Sequence, residues 1–245
     1  MPELEQKQLV GTPEQKGEIL KVAYAAGNDI DEIVSRYDEM ADSYHAIHKS
    51  GTWVGPNKVA EVAASLIDGE EEKRQVEILD FGAGTGLSGM AMKNKGFSTI
   101  DALDVSKKMV DIAQAESNGE LYRKIIIGIL KENDDLIKQE SYGMVVSMGC
   151  IGTHTDADEV YRIMPLVKPG GYIVYTIKNE ANESESFQSL YAALKEHNDV
   201  GEEKAEEKSN TTKNEWKLVQ SDGVGPLNVD HPSVHHSIVV LQRTS

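Results

Sequence analysis

The chain has 245 residues, with 25 Lys and Arg against 41 Asp and Glu, which gives a formal net charge of -16. This charge opposes binding to nucleic acid or to an anionic membrane surface, and we expect neither partner. The single cysteine, Cys150, allows no internal disulfide, which fits a reducing compartment. The first residues lack the pattern of a signal peptide, and no apolar run approaches the roughly 18 residues of a membrane span. We therefore expect a cytoplasmic protein.

Helical patterns occupy the first part of the chain, and we predict an N-terminal helical cap over residues 1–74. Thr12 and Gly27 bracket a first predicted helix, with Pro13 at its first position. Apolar residues at three- and four-residue intervals predict two more helices, over about residues 30–48 and 56–67.

From residue 75 onward, short apolar runs alternate with helical stretches, which is typical of a doubly wound α/β sheet. We predict a core domain over residues 75–245, with an amphipathic helix over Ser184–His197 and a mobile acidic insertion near residues 199–214. The predicted strands are Val76–Asp80, Thr99–Asp104, Lys124–Ile127, Gly143–Ser147, Gly171–Ile177, Trp216–Gln220 and Ser237–Arg243.

A glycine-rich segment, Gly82-Ala83-Gly84-Thr85-Gly86, follows the first predicted strand directly. Glycine accepts positive φ and lets a ligand approach the backbone closely. Ligands of doubly wound sheets bind at the carboxyl ends of the strands, and the amides that begin the next helix favour an anionic group. The segment therefore predicts a cofactor-binding loop.

The second predicted strand ends in a carboxylate, Asp104. It follows the glycine loop at close to the ~20-residue spacing of an acid that accepts ribose hydroxyls. The alternative is that Asp104 only caps the helix predicted to begin near Ser106. Together with the glycine loop, the spacing favours ribose binding.

A dinucleotide site is an alternative, because Gly84-Thr85-Gly86-Leu87-Ser88-Gly89 fits the GxGxxG pattern. Two features oppose it. The charge of Asp80 beside the loop would repel a pyrophosphate and suits an ammonium group. The last predicted strand also comes after a long intervening segment, whereas the dinucleotide fold consists of two mononucleotide-binding halves. An NAD-dependent oxidoreductase is thus the less favoured interpretation.

Five motifs lie in order along the chain: Tyr37–Tyr44, Ile78–Gly86, Ile100–Met109, Tyr142–Ser147 and Leu166–Tyr172. Together they resemble the class I S-adenosylmethionine-dependent methyltransferases, and most of all the Williams–Beuren-region methyltransferase-like group. The resemblance implies a Rossmann-like, doubly wound, seven-stranded sheet with an antiparallel C-terminal strand hairpin. It also implies S-adenosyl-L-methionine as the cofactor.

The resemblance further implies a role for each matching residue. Asp80 would lie near the methionyl amine, Asp104 would bind the ribose, and Tyr37 would close over the amino-acid end of the cofactor. The glycine loop would line the methionine portion with its backbone, and Val105 and Met109 would enclose the adenine. The predicted cofactor-binding residues are Tyr37, Asp80, Phe81, Gly82, Ala83, Gly84, Gly86, Asp104, Val105, Met109, Gly128, Ile129 and Ser147.

One position departs from the family pattern. After the third strand, members often carry an acid that receives the adenine amine, whereas this chain has Ile127-Gly128-Ile129-Leu130. Ile129 cannot accept that hydrogen bond. Backbone, water, or Asp134 or Asp135 from a loop that folds back would have to replace it.

The acceptor is expected to bind at the tip of the fourth strand and under the helical cap. His154 follows that strand and is the candidate general base, although a solvent-exposed loop histidine is the alternative. Tyr44 is the second catalytic candidate. Trp53, Met148 and Cys150 are expected to line the substrate pocket, and the equal alternative for Tyr44 and Trp53 is a place in the core under the cap. We expect no metal site, because a solvated pair is the commoner state of histidines spaced like His45 and His48.

The sequence thus predicts an enzyme that transfers a methyl group in line to a small-molecule acceptor, a reaction that depends mainly on alignment. A catalytically silent binding module with the same fold is the alternative. The sequence leaves the acceptor atom and the oligomeric state open.

Overall fold

The computed structural model describes residues 29–49, 53–130, 136–199, 216–228 and 232–245. The predicted helix between Thr12 and Gly27, the acidic insertion apart from Asp199, and Asp134 and Asp135 lie outside the described residues. We number the elements of the described part in chain order.

A seven-stranded sheet with strand order β3-β2-β1-β4-β5-β7-β6 forms the centre of the molecule. Strands β1 to β5 run parallel, whereas β7 pairs antiparallel with both β5 and β6. This confirms the predicted doubly wound sheet with an antiparallel C-terminal hairpin. The strands are β1 (Glu77–Phe81), β2 (Thr99–Asp104), β3 (Lys124–Ile127), β4 (Tyr142–Ser147), β5 (Val167–Lys178), β6 (Trp216–Pro226) and β7 (His235–Arg243).

Helices cover both faces of the sheet, and each strand alternates its side chains between the two faces. The helices are α1 (Ile30–Lys49), α2 (Gly55–Ser65), α3 (Glu70–Gln75), α4 (Leu87–Asn94), α5 (Lys107–Glu116), α6 (Ala157–Ile163), α7 (Asn179–Asn182) and α8 (Glu185–Asp199). The apolar residues of α6 and α8 pack with Leu79 and Phe81 on one face. Those of α2, α4 and α5 pack with Ile78 on the other.

Helix α1 lies outside these two layers, because its buried side chains contact α5 instead of the sheet. Met40 and Ala41 form a small core with Met109, and Tyr37 and Tyr44 pack against it. This packing holds one side of α1 over the carboxyl ends of the parallel strands. By contrast, Val59 of α2 belongs to the core of the sheet, although the predicted cap also includes α2.

Candidate active site

A cavity of about 480 Å³ opens at the carboxyl ends of β1, β2 and β4, beneath α1. Its position is the one at which open α/β sheets bind ligands. Four loops, the three helices α1, α5 and α6, and the ends of β1 and β2 supply its walls. The lining residues are Ile30, Ile33, Tyr37, Tyr44, Phe81, Gly82, Gly84, Leu103, Asp104, Val105, Met109, Gly128, Ile129, Leu130, Met148, Gly149, Cys150, Gly152, Thr153, His154, Thr155, Asp156, Glu159 and Arg162.

The glycine loop forms one wall of the cavity. Gly84 has a φ of +53°, and the nearest atom to a Cβ placed there would be the Gly82 carbonyl oxygen, 4.0 Å away. A Cβ at Gly82, where φ is +72°, would instead lie 2.7 Å from the Cβ of Cys150. The two glycines therefore let the backbone approach a ligand on one side and Cys150 on the other.

Asp104 connects the glycine loop to the end of β2. One carboxylate oxygen accepts a hydrogen bond of 2.7 Å from the Gly84 amide, and the other accepts one of 2.8 Å from the Ser106 amide. Ser106, whose hydroxyl accepts from the Met109 amide, is the residue that caps α5. Because a carboxylate offers about four acceptor sites, Asp104 retains capacity for ligand hydroxyl groups.

Asp80 has different contacts from those that the sequence suggested. Its carboxylate is buried on the opposite side of β1 from Phe81, and it accepts hydrogen bonds from Ser88 at 2.8–2.9 Å and Tyr122 at 2.8 Å. Burial raises the pKa of Asp80 to about 6, against the lowering effect of the two donors. Asp80 is not among the cavity-lining residues, so it positions the loop from behind instead of facing a cofactor amine.

Three further residues assigned to the cofactor site do not line the cavity: Ala83, Gly86 and Ser147. Ala83 is part of the apolar core on the side of α4. A Cβ at Gly86 would lie 2.7 Å from that of Ala113, so this glycine permits close packing on α5. Ser147 is fully buried at the end of β4. The placement of these three in the cofactor site stays a prediction, and in this structure they pack behind the wall of the cavity.

The far end of the cavity, next to β3, is lined by apolar groups. Val105, Met109 and Ile129 contribute side chains there, and Gly128 contributes backbone with a φ of +129°. These residues occupy the positions predicted for the adenine pocket. Together with Asp104 and the glycine loop, they fit a cofactor that carries a nucleoside and an amino-acid portion.

At the opposite end, the cap and the core meet through Tyr37 and His154. The Tyr37 hydroxyl lies 2.6 Å from Nε2 of His154, and the two rings meet edge to face with centroids 5.4 Å apart. The His154 amide donates to the Cys150 carbonyl oxygen at 3.0 Å, which closes a tight turn after β4. His154 therefore has a fixed position in the cavity wall and is not a freely exposed loop histidine.

The ring of His154 is held in its neutral form. Burial, together with the positive charges of Lys178 and Arg36, lowers its pKa to about 4. Its Nδ1 atom is buried and has no hydrogen-bond partner within the described part of the chain. Burial likewise raises the pKa of Cys150 to about 12, so this cavity-lining thiol is not a nucleophile.

Tyr44 lines the cavity as predicted, but its aromatic neighbours lead away from it. It stacks on His48 with ring centroids 3.9 Å apart, His48 meets Trp53 edge to face at 5.1 Å, and Trp53 meets His236 at 6.3 Å. Trp53 is buried behind Met148 and does not reach the cavity. The buried position of Trp53 agrees with the alternative that it belongs to the core under the cap, whereas Met148 and Cys150 line the cavity.

His45 and His48 do not face a common ligand with His154. His45 packs at the junction of α1 and α5, where its Nε2 lies 3.5 Å from Glu116. Among the residues that the structure describes, no three His, Cys, Asp or Glu side chains are placed to hold a metal ion. None of the described helices is both long and apolar enough to cross a membrane.

The sequence analysis missed the contribution of α6 to the cavity. Asp156, Glu159 and Arg162 all line it. They follow one another at three-residue intervals, a spacing that places side chains on one face of a helix, and this was the signal available in the sequence. Asp156 also caps the helix by accepting from the Asp158 amide at 3.0 Å.

Part of the sequence and most of the fold are similar to those of known proteins. Residues 78–171 match the family model described as a methyltransferase domain. This match spans the glycine loop, Asp104 and the loop after β4, which are the segments that form the cavity. No curated protein sequence matches the chain, so its relatives are found through the fold.

Solved structures share the fold of this methyltransferase domain over most of its length. One is the 1,6-didemethyltoxoflavin-N1-methyltransferase of Burkholderia thailandensis, with a TM-score of 0.55, 16% identity, and coverage of 96% of this chain and 92% of that one. Another is magnesium protoporphyrin IX methyltransferase of Synechocystis PCC 6803, with a TM-score of 0.53, 12% identity, and coverage of 98% and 95%. The 4+2 cyclase SpnF has a TM-score of 0.61 at 10% identity, with coverage of 87% and 96%.

Proposed function

We propose that the chain binds S-adenosyl-L-methionine and transfers its methyl group to a small-molecule acceptor. The observation that carries the proposal is the hydrogen bond of 2.7 Å from the Gly84 amide to the Asp104 carboxylate. The backbone of Gly84 is open to the cavity at this point. The structures of two of the neighbours contain S-adenosylhomocysteine or S-adenosylmethionine. Both proteins are named for small acceptors, which supports the same class of acceptor here.

Within this proposal, the chain's own residues divide the cavity into two parts. Asp104 would accept the ribose hydroxyls, and Val105 and Met109 would enclose the adenine. The glycine loop would line the methionine portion. The bound cofactor supplies an electrophilic methyl group on a sulfonium, so the protein has to align an acceptor with it and exclude water.

The acceptor would lie at the end of the cavity formed by Tyr44, Met148 and His154. Tyr37 holds the ring of His154 through Nε2, and Nδ1 is buried in the cavity wall. With a pKa of about 4, His154 is neutral at pH 7 and a weak base, so its proposed part is to contact and orient the acceptor. His154 is thus the candidate catalytic residue, and Tyr37 is a positioning residue.

A small acceptor also agrees with the charge of the chain. The net charge of -16 opposes a polyanionic substrate, whose binding depends on Lys and Arg replacing counterions. The finer assignment to the Williams–Beuren-region methyltransferase-like group, and a place in the cytoplasm, are part of the proposal and rest on the sequence motifs and composition alone.

The test combines cofactor binding with methyl transfer. S-adenosylhomocysteine should raise the melting temperature of the protein, and NAD should not. With S-adenosylmethionine labelled in its methyl group, label should then enter the small-molecule fraction of a cell extract. The Gly84→Val variant serves as the negative control.

The other outcomes would identify the alternatives. Stabilisation by NAD and not by S-adenosylhomocysteine would indicate an oxidoreductase. Stabilisation by S-adenosylhomocysteine with no transfer to any fraction would indicate a binding module that keeps the fold without the reaction. Label that enters only nucleic acid would contradict the small-molecule acceptor.

A further inference from the structure

Two consecutive residues of α1, Tyr37 and Asp38, connect this helix to the loops on both sides of the cavity. The Tyr37 hydroxyl lies 2.6 Å from Nε2 of His154, in the loop after β4. The Asp38 carboxylate accepts a hydrogen bond of 2.5 Å from the hydroxyl of Ser106, in the segment after β2. The first contact belongs to the end of the cavity proposed for the acceptor, and the second lies next to the cofactor end. The position of α1 therefore depends on both ends of the cavity.

Ser106 is fully buried, and both of its polar hydrogens have acceptors. Its amide donates at 2.8 Å to the oxygen of the Asp104 carboxylate that is not bonded to Gly84. Its hydroxyl accepts a hydrogen bond of 3.1 Å from the Met109 amide. Because a serine hydroxyl has a single hydrogen, Asp38 is the group that receives it. Ser106 thus links the carboxylate proposed to hold the ribose with a carboxylate of the cap helix.

The contact between Asp38 and Ser106 is a short, charge-assisted hydrogen bond. Its length of 2.5 Å is typical of a hydroxyl group that donates to a carboxylate. Burial raises the pKa of Asp104, and the nearby negative charge of Asp38 raises it further. Two carboxylates at close range repel each other. Ser106 offsets this repulsion, because it donates one hydrogen bond to each of them.

The attachment of α1 to α5 gives this hydrogen bond its weight. Helix α1 lies outside the two layers that cover the sheet, and its apolar contact with α5 is a small core. Further along the helix, Asp42 lies 3.6 Å from Lys108 at an exposed position, where an ion pair contributes little. The hydrogen bond from the fully buried Ser106 to Asp38 is therefore the stronger of these two polar contacts.

We propose that Asp38 is a positioning residue that couples cofactor binding at Asp104 to the position of α1 over the acceptor end. The inference rests on the function proposed above, because it takes the cofactor ribose as the group that binds Asp104. Ribose hydroxyl groups that donate to Asp104 hold its carboxylate and, through the Ser106 amide, the start of α5. The Ser106 hydroxyl in turn holds α1 through Asp38, and Tyr37 is kept in place with it.

Coupling of this kind is reciprocal, which makes it measurable from both sides. If the docked position of α1 strengthens binding of S-adenosylhomocysteine, then S-adenosylhomocysteine must stabilise that position by the same factor. Titration calorimetry measures the affinity, and hydrogen exchange of the backbone amides of α1 measures how often the helix opens. A residue with a purely structural role would change the stability of α1 without changing the effect of the ligand on it.

The experiment compares Asp38→Ala with the unmodified chain, each of them free and saturated with S-adenosylhomocysteine. In the unmodified chain the ligand should slow hydrogen exchange of α1 roughly fivefold or more, the size of typical coupling between sites. In Asp38→Ala this slowing should fall below about twofold, and the dissociation constant should rise by the factor that is lost. Asp38→Asn should keep both values, because its amide oxygen still accepts a hydrogen bond from Ser106.

Asp42→Ala is the matched control, because it removes an exposed carboxylate of the same helix that also faces α5. It should leave the affinity and the slowing unchanged. Ser106→Gly breaks the same hydrogen bond from the other side, and glycine is tolerated at an N-cap. It should reproduce the loss even if Asp38→Ala does not fold. Hydrogen exchange of β1 and β4, measured in the same samples, reports whether the core of each variant is intact.

The outcomes separate this proposal from the one on which it rests. Failure of S-adenosylhomocysteine to bind the unmodified chain would overturn both. Binding of S-adenosylhomocysteine that leaves the hydrogen exchange of α1 unchanged would overturn the coupling alone. Slowing of α1 that persists in Asp38→Ala or in Ser106→Gly would also overturn it, because the cofactor would then hold the helix directly, through Tyr37.

Discussion

The Tyr37 hydroxyl lies 2.6 Å from Nε2 of His154, although 117 positions separate the two residues. Tyr37 belongs to the cap helix, and His154 belongs to the loop that follows β4. The contact therefore joins the cap to the core at the point where an acceptor would bind. It adds a contact to Tyr37, which also lines the cavity and which the family resemblance had assigned to the cofactor.

Gly84→Val should abolish binding of S-adenosylhomocysteine while leaving the chain folded. The branched side chain would extend into the cavity from a backbone with a φ of +53°, and such a φ is itself strained for a β-branched residue. Calorimetry measures the loss. Gly119→Val is the matched control, because Gly119 also has a positive φ, +77°, but no neighbour within 4 Å. Equal affinity in Gly84→Val and the unmodified chain would refute the site.

Asp104→Ala should weaken binding of S-adenosylhomocysteine by roughly 1.5–3 kcal/mol, the size of hydrogen bonds to a charged group. Methionine lacks the ribose, so its binding should hardly change. Asp111→Ala, which removes an exposed carboxylate paired with Lys107, controls for the loss of charge. Equal losses for both ligands would mean that Asp104 acts only by holding Gly84 in place.

The His154 ring should stay unprotonated on acidification from about pH 7.5 to pH 5, because burial and two cations lower its pKa to about 4. NMR of the ring protons measures this. A lowered pKa also means that the unfolded chain binds the extra proton first. The contribution of His154 to stability is then fully present above about pH 6.5 and is lost as the pH falls towards 4.

Urea denaturation at several pH values tests this linkage. His154→Gln should reduce the fall in the free energy of unfolding over this range, and the exposed His235→Gln should not. Ring signals that titrate near pH 6.5 would contradict the buried, cation-flanked position of His154.

Asp80→Asn should lower the free energy of unfolding by about 1–3 kcal/mol, because the new amide group would place a donor opposite the donors Ser88 and Tyr122. The pKa of Asp80 is raised to about 6. Its contribution is therefore fully present below about pH 3.9 and is lost as the pH rises through 6. The cost of Asp80→Asn should be larger at pH 5 than at pH 7.

The control for this prediction is Tyr122→Phe, which removes one donor and leaves the carboxylate in place. The two substitutions should not be additive, because they affect the same hydrogen bond. Additive losses measured by urea denaturation would show that Asp80 and Tyr122 act independently.

The cofactor end of the site was predictable because it depends on local sequence. The first strand, the glycine loop and Asp104 follow one another at short spacings along the chain. Their relative positions in the fold are therefore set by the local sequence. The orientation of Asp80 was also available, since alternation along β1 places it on the face of Ile78 and away from Phe81. The resemblance to a family led to the opposite assignment.

The acceptor end depends on contacts between distant segments, and single-sequence patterns do not carry these. Nothing near Tyr37 indicates His154 as its partner, and nothing near Asp38 indicates Ser106. The two alternatives for Trp53 stayed open for the same reason. Its aromatic character fits a pocket wall, but packing against His48 and His236 turns the ring away from the cavity.

The edge strand β6 has an irregular backbone that disfavours self-association. Its register against β7 shifts twice, between Leu218 and Gln220 and between Gly223 and Gly225, and the strand ends at Pro226. A strand interrupted in this way offers few consecutive backbone groups for pairing with another chain. The opposite border, β3, has only four residues. Both borders are thus poor templates for edge-to-edge aggregation, and an insertion that straightened β6 would remove one of these two safeguards.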